Sequence, residues 1–350
     1  MTLRRNLAAG AAALALSVFA FAAPALATSF QVTALVADRQ GAAANADKQL
    51  RGPWGLAPIA GALSVADEQE DVATMYDPAT GAKASVVIRM PSGKPTGQVA
   101  IPAGNGFVVA EGSASGESAL VFATESGVIA GWNPDVDANN AVVAFGNQGH
   151  GGNADGSGHG GHGGDFTGLA YDPATNHLFA ADLRANAVVV LDNTFTQVAS
   201  FTDPNLPAGY APHNVALLNG NLYVAYALRK GDDARTGAGL GYIDVFQTDG
   251  TLVTTLVANG TLNAPWGMAI APASFGDLAG TLLVANNGDG RINAFDTTTG
   301  ALVGTVSDST GASLQIDGLR ALLDSGTGLM LFSADPHHRN KGLLGAISAQ

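Results

Sequence analysis

One phrase is written twice in this chain. Gly52-Pro53-Trp54-Gly55-Leu56-Ala57 returns as Ala264-Pro265-Trp266-Gly267-Met268-Ala269. Each copy opens the same longer pattern: a strand of small residues, a turn, an apolar strand, a second turn, and a strand ending in aromatic-Asp. Self-similarity at a spacing of tens of residues points to stacked or ringed repeats, in which each unit buries its apolar face against the next.

Six such units align on their first-strand openings. These are Trp54-Gly55, Thr96-Gly97, Thr167-Gly168, His213-Asn214, Trp266-Gly267 and Asp317-Gly318, with second residues spaced by 42, 71, 46, 53 and 51. Helix signals are nearly missing. Apolar segments are short, rich in Val, Ala and Leu, and bounded by Gly, Asp, Asn and Pro, which is how strands read. Second strands such as Leu178–Ala181 and Leu282–Ala285 and third strands such as Ala73–Asp77 and Ile292–Asp296 recur in each unit. Four-stranded units of about 40 to 50 residues are propeller blades.

The fourth strands number five after third strands, and the sixth unit stops without one. Phe30-Gln31-Val32-Thr33-Ala34-Leu35-Val36-Ala37-Asp38 resembles the fourth strand Ala301–Asp308 and supplies the missing member. The expected fold is therefore an all-β, six-bladed propeller spanning 28–350. Its ring is closed by the N-terminal strand pairing onto the last blade, which removes an open edge. Within each blade the small-residue strand is expected innermost, where strands converge on the axis and Gly permits close approach.

Residues 1–27 read as a secretory signal peptide. Arg4 and Arg5 precede an apolar run from Leu7 to Phe21, and Ala25-Leu26-Ala27 forms a small-residue cleavage site. The expectation is a secreted or periplasmic protein cut after Ala27, with no membrane span in the mature chain. Cysteine is absent, so the exported chain relies on packing and strand pairing instead of disulfides. Of the 16 Lys and Arg, Arg4 and Arg5 lie in the leader, so the mature chain sets 14 against 29 Asp and Glu, a net charge near −15. That charge argues against nucleic acid and anionic lipid as partners.

Gly131-Trp132-Asn133-Pro134, Asn263-Ala264-Pro265-Trp266-Gly267 and Gly342-Leu343-Leu344-Gly345 resemble strings of a family of secreted, NHL-like bacterial β-propellers, some of which carry a C-terminal sorting tail. The segment Pro265-Trp266-Gly267-Met268-Ala269, continuing through Leu282-Leu283-Val284-Ala285-Asn286-Asn287-Gly288-Asp289-Gly290-Arg291-Ile292-Asn293-Ala294-Phe295-Asp296, is similar to an NHL repeat. Gly131-Trp132-Asn133-Pro134, Thr202 to Pro212 and Gly342-Leu343-Leu344-Gly345 extend the likeness over most of the chain. The resemblance implies a fold and no activity. The chain departs from it by ending at Gln350 without the tail, by carrying Arg320 where a Trp is expected, and by a glycine-histidine insertion.

That insertion, 146–165, holds His150, His159 and His162 among glycines, with Asp165 at its end. Neutral imidazoles suit zinc, copper or nickel, and His159 and His162 are close enough to chelate one ion. Gly160-Gly161-His162-Gly163-Gly164-Asp165 also fits the start of a calcium-binding nonapeptide, but only a single copy is present. Ordering the 16 residues from His150 to Asp165 costs roughly 16 to 32 kcal/mol, against about 10–16 kcal/mol from a structural zinc. One ion therefore pins the loop locally at most, and a flexible surface loop is the competing reading.

The axial mouth is the other candidate site. By the inferred register Trp54, His213, Asn214, Trp266 and Asp317 surround it. Two Trp faces there can stack on a sugar or other flat ligand, with polar contacts from His213, Asn214 and Asp317. The competing reading packs both Trp rings between blades. Six-bladed lactonase-like hydrolases place a divalent ion on this axis, but Asp317 and Asn214, with His213, are a thin ligand set for an ion that takes about six oxygens. No nucleophile elbow sits on a strand-to-helix turn. Two functions remain from the sequence: an exported monomeric binding propeller for a small molecule, glycan or protein, or a divalent-metal-dependent hydrolase.

Overall fold

The computed structural model describes residues 28–146, 164–231, 233–336 and 341–350. Six small, mainly antiparallel sheets are arranged as a six-bladed β-propeller. Blade one is Pro53–Ile59, Ala62–Asp67, Val72–Tyr76 and Lys83–Arg89, counted from the axis outward. Blade five repeats it with Pro265–Ile270, Leu282–Asn286, Ile292–Phe295 and Leu302–Thr305. Blades two, three and four begin on the inner strands Pro95–Ala100, Phe166–Asp172 and Tyr210–Leu218. The helical turns include the short Glu68–Glu70 and Ala273–Leu278.

Closure occurs where the sequence placed it. Blade six runs Leu319–Asp324, Met330–Ala334 and Leu343–Ala349, and Phe30–Ala37 pairs antiparallel onto the last of these. Phe30 lies opposite Ala349 and Ala37 opposite Leu343, with a bulge at Leu35 that resets the register. Phe30, Leu35 and Val36 are buried, and Phe30 packs on Phe275 at 4.9 Å between ring centroids. The segment before the strand is also tied down. The Thr28 amide donates to Asp277 Oδ1 at 3.0 Å, so the closing strand is anchored to blade five as well as blade six.

The core lies between neighbouring blades as a series of apolar seams. The seam between blades five and six joins Leu283, Ala285, Leu322, Met330, Phe332 and Ile347. That between blades three and four joins Phe179, Val188, Val224, Tyr226 and Phe246. Second and third strands supply most of these side chains and are buried on both faces. This explains their continuous apolar runs in place of a strict alternation.

Inner strands approach one another closely because of their glycines. A Cβ built on Gly55 would stand 2.6 Å from the Thr96 carbonyl oxygen, and one on Gly97 2.5 Å from the Leu169 amide. Blade four has Asn214 at this position. Its side-chain amide donates to the Trp266 carbonyl oxygen at 2.8 Å and so bridges to blade five.

Two features depart from the sequence reading. The long spacing between blades two and three is shared by two insertions. Besides 146–165, a hairpin of Val108–Glu111 and Ala114–Glu117 sits between the first two strands of blade two. The second departure concerns the register of blade six. In blade one Pro53 pairs with Asp67 and Leu56 with Val65, flanking Trp54-Gly55. In blade six the matching pairs are Leu319 with Ala334 and Leu322 with Phe332, flanking Arg320-Ala321. Arg320, not Asp317, is thus the counterpart of Trp54. Gly318, at φ +68, belongs to a turn ahead of the strand, where the Asp335 amide donates to its carbonyl at 2.9 Å.

Candidate functional site

One side chain from each inner strand stands at the same register position: Trp54, Thr96, Thr167, His213, Trp266 and Arg320. All six are buried. The strands point these side chains at the axis, where there is too little room for six large ones. Three are aromatic and close it. Trp54 and Trp266 meet edge-on at 85° with centroids 5.5 Å apart, and His213 meets Trp54 edge-on at 6.3 Å. This layer separates two axial cavities. A channel of about 490 Å³ runs below it, lined by inner strands of all six blades. A cup of about 700 Å³ opens above it, and Trp266 borders both.

Hydrogen bonds fix the three rings of the layer. Trp266 Nε1 donates across the axis to the Thr167 carbonyl at 2.9 Å, and Trp54 Nε1 donates to Glu68 Oε2 at 2.9 Å. His213 Nδ1 lies 2.9 Å from the Pro265 carbonyl oxygen. A carbonyl only accepts, so Nδ1 carries the proton and Nε2 keeps its lone pair. Burial depresses the His213 imidazolium to about 4. The Arg320 charge adds to this, while the Pro265 carbonyl opposes it. The ring is therefore neutral near neutral pH.

Arg320 organises the blade-six side of the cup. Its guanidinium lies 4.1 Å over the Trp54 ring, 3.2 Å from Glu68 Oε2 and 3.7 Å from Asp335 Oδ2. Burial raises the Glu68 carboxyl above its ordinary value, and the Arg320 charge restrains the rise. Arginine retains its proton even when buried, so a fixed cation sits between two acids on an aromatic face.

The wall of the cup is acidic. Glu68, Glu125, Asp165, Asp233, Asp317 and Asp335 line it, with Arg320 as the one Lys or Arg among the described lining residues. Lys94, outside that lining, pairs with Glu125 at 2.8 Å. The second strands run antiparallel to the inner ones, so the residues that follow them emerge at the cup. Glu68, Glu125 and Asp335 each stand immediately after a second strand. That position, visible in the sequence, is the signal by which these acids could have been found.

The sequence-derived candidates divide between the two cavities. Trp54, His213, Trp266 and Asp317 border the cup, and Asp317 is exposed at its wall. Asn214 lines the channel below and is spent on the Trp266 carbonyl. The structure therefore does not bring Asn214 and Asp317 into one cavity. Trp54 and Trp266 pack edge-on against each other, and the Arg320 guanidinium covers a face of Trp54. His150, His159 and His162 lie outside the described residues. Asp165 is buried at the cup wall, its amide donating to Asp182 Oδ1 at 3.1 Å. Among the described residues no three His, Asp or Glu side chains converge as metal ligands.

Comparison with known proteins places the chain. It is 34% identical over 336 residues to uncharacterized protein R648 of Acanthamoeba polyphaga mimivirus, covering 91% of this chain and 80% of that protein. It is 33% identical over 336 residues to uncharacterized protein L690 of the same virus, covering 91% and 86%. The chain belongs to the family of these viral proteins. A third relative from that virus, uncharacterized protein R640, is 27% identical over 226 residues, or 62% of this chain and 40% of that protein. No protein-family model matches the chain. These findings correct the resemblance to secreted bacterial NHL-like propellers. What the chain shares with NHL repeats is a small-residue inner strand and a Gly-Asp turn, which the convergence of strands on any propeller axis favours.

Proposed function

We propose that this chain is an exported binding protein whose ligand sits in the axial cup. The observation that carries the reading is the cup itself. About 700 Å³ lies within the size range of small-ligand sites, and its floor is set before any ligand arrives. Trp54, Trp266, His213, Arg320 and Glu68 are buried and locked to one another by hydrogen bonds and ring contacts. Such preorganisation lowers the ordering cost of binding. The basic n-region, apolar run and cleavage site of residues 1–27 support export.

A ligand panel of sugars, amino acids, amines and carboxylates, read by thermal shift, tests the binding reading. A ligand at one hundred times its Kd stabilises the folded protein by about 2.7 kcal/mol. Hits should vanish in Ala234→Trp, which places an indole in the cup. Hits untouched by that variant would move the site elsewhere. Turnover of a lactone or ester, with a stoichiometric metal lost in Asp317→Ala, would favour the hydrolase reading instead. N-terminal sequencing of protein recovered from the exported fraction should begin at Thr28; retention of the leader would overturn export.

A further inference from the structure

We infer that a calcium ion is bound in the seam between blades three and four, held by Asp244, Asp203, Tyr226 and Thr202. None of these four residues lines the cup, so the site is separate from the proposed ligand seat. Three segments build it. Tyr226 lies on the second strand of blade four, Asn221–Lys230, and Asp244 on the third, Tyr242–Phe246. Thr202 and Asp203 follow Gln197–Phe201, the outer strand of blade three, on the way into blade four. Asp203 and Thr202 lie beside the Tyr226 hydroxyl, and Asp203 and Thr255 beside the Asp244 carboxyl.

Blade five shows what this register position requires. Asn293 pairs with Val284 and Thr305 there, as Asp244 pairs with Val224 and Thr255. Asn293 accepts from Thr305 Oγ1 at 3.0 Å. It also donates its amide at 3.2 Å to the Thr261 carbonyl, in the segment leading into that blade. Blade one has Thr74 opposite Val65, and its hydroxyl donates to Asp67 Oδ2 at 2.6 Å. An ionised carboxylate in this place has nothing to donate. Asp244 is 0% exposed, and neither of its oxygens has a hydrogen-bond partner among the described residues. The charged group acting on it is Asp203, a second carboxylate. The Tyr226 hydroxyl and Thr202 Oγ1 are buried and unpartnered as well. Four acceptor oxygens gathered in one dry seam are costly unless something positive joins them.

The tightness of the seam selects a metal over water. None of the four oxygens is reachable by water. A bridging water stands about 2.7–2.8 Å from its oxygen partners, whereas calcium stands about 2.3–2.6 Å from its ligands, so a cage shaped to calcium is closed to water. Magnesium keeps several of its waters, which this seam has no room for, and zinc favours nitrogen and sulfur. Calcium takes oxygens in irregular arrangements, and a carboxylate such as Asp244 can offer it both. Asp203 is already positioned, because its Oδ1 accepts from the Asn205 amide at 2.8 Å and from Asn205 Nδ2 at 3.0 Å. Thr255 is exposed on the outer strand beside Asp244, which gives the ion a short way in from the rim.

Calorimetric titration of the mature protein, first stripped with EDTA and then dialysed, tests this with calcium chloride and magnesium chloride as separate arms. Calcium should bind one-to-one with a Kd of about 0.1–1 mM and raise the melting temperature, while magnesium should do neither. Asp244→Asn gives blade four the amide that blade five uses. It should therefore melt no lower than wild type in EDTA, yet bind calcium at least about tenfold more weakly. Tyr226→Phe keeps the ring and should weaken calcium severalfold. Asp249→Asn with Asp296→Asn, on surface turns, should bind calcium like wild type. Calcium binding unchanged in Asp244→Asn would overturn the site. Equal binding of magnesium would mean a general response of an acidic protein and would also overturn it. No calcium binding well above the expected range would show that a proton neutralises Asp244 instead. Each of these failures leaves the cup untouched, because the two places share no residue.

Discussion

Acidifying the solution should weaken the ring through His213, and replacing that residue with Gln should abolish this part of the loss. The buried imidazole is held at about 4, against 6.5 in the unfolded chain. A depressed histidine costs nothing above its unfolded value. As the pH falls through 6.5 the unfolded chain takes up a proton that the folded ring refuses, and stability is lost until about pH 4. The full gap of about 2.5 units corresponds to about 3 kcal/mol, and at pH 5 about 2 kcal/mol is already lost. The assay is urea unfolding followed by tryptophan fluorescence at pH 8 and pH 5. His213→Gln carries its own packing cost, but that cost does not titrate and cancels in the difference between pH values. Asp244, raised to about 7 by burial, and Glu68, also raised by burial, titrate the other way as the pH falls. They do so in both proteins. Wild type should lose about 2 kcal/mol more than the variant between the two pH values. Parallel profiles would refute the claim that burial keeps His213 neutral.

Three further outcomes are expected. Deleting residues 28–38 exposes the last strand of blade six and gives up the burial of Phe30, Leu35 and Val36, worth roughly 5 to 9 kcal/mol at about 1.5–3 each; an unchanged melting temperature would falsify strand closure as a source of stability. Arg320→Met leaves Glu68 and Asp335 buried without their cation and should cost about 3–5 kcal/mol in chemical denaturation. The double variant with Glu68→Gln should recover part of it, and strict additivity would deny the coupling. Gly267→Ala places a methyl against the Arg320 carbonyl oxygen, a backbone atom with nowhere to go. A loss of about 1–3 kcal/mol is expected in the same assay, while a neutral result would show the inner ring to be looser than its geometry.

The ring, its strand count and its closure were legible because propeller blades repeat and turn residues punctuate them. Phe30 to Ala37 could be assigned to blade six from its likeness to residues 301–308 and from the fourth strand that the sixth unit lacks. The register of blade six was not legible in the same way. Asp317-Gly318 looks like an opening dipeptide, yet Gly318 is needed for a left-handed turn and Arg320-Ala321 takes the axial place. A propensity for small residues cannot separate a glycine that turns from one that packs. The cup was half legible. Its aromatic floor follows from the twice-written phrase, but Glu68 and Asp335 come from strand ends that meet only when blades one and six close together. Pairing over 252 residues leaves no local trace.

The strand that seals blade six also sets a timetable. During synthesis Phe30 to Ala37 emerges long before Leu343 to Ala349, its eventual neighbour. Contacts so distant along the chain are slow to form, because loop closure must come before any reward. Five blades can gather their strands as they appear, but the axis stays open until the end of the chain arrives. Trp54 of blade one and Arg320 of blade six meet only then. The aromatic floor is therefore among the last parts of the molecule to exist, and a chain cut short within its final strand would have no cup at all.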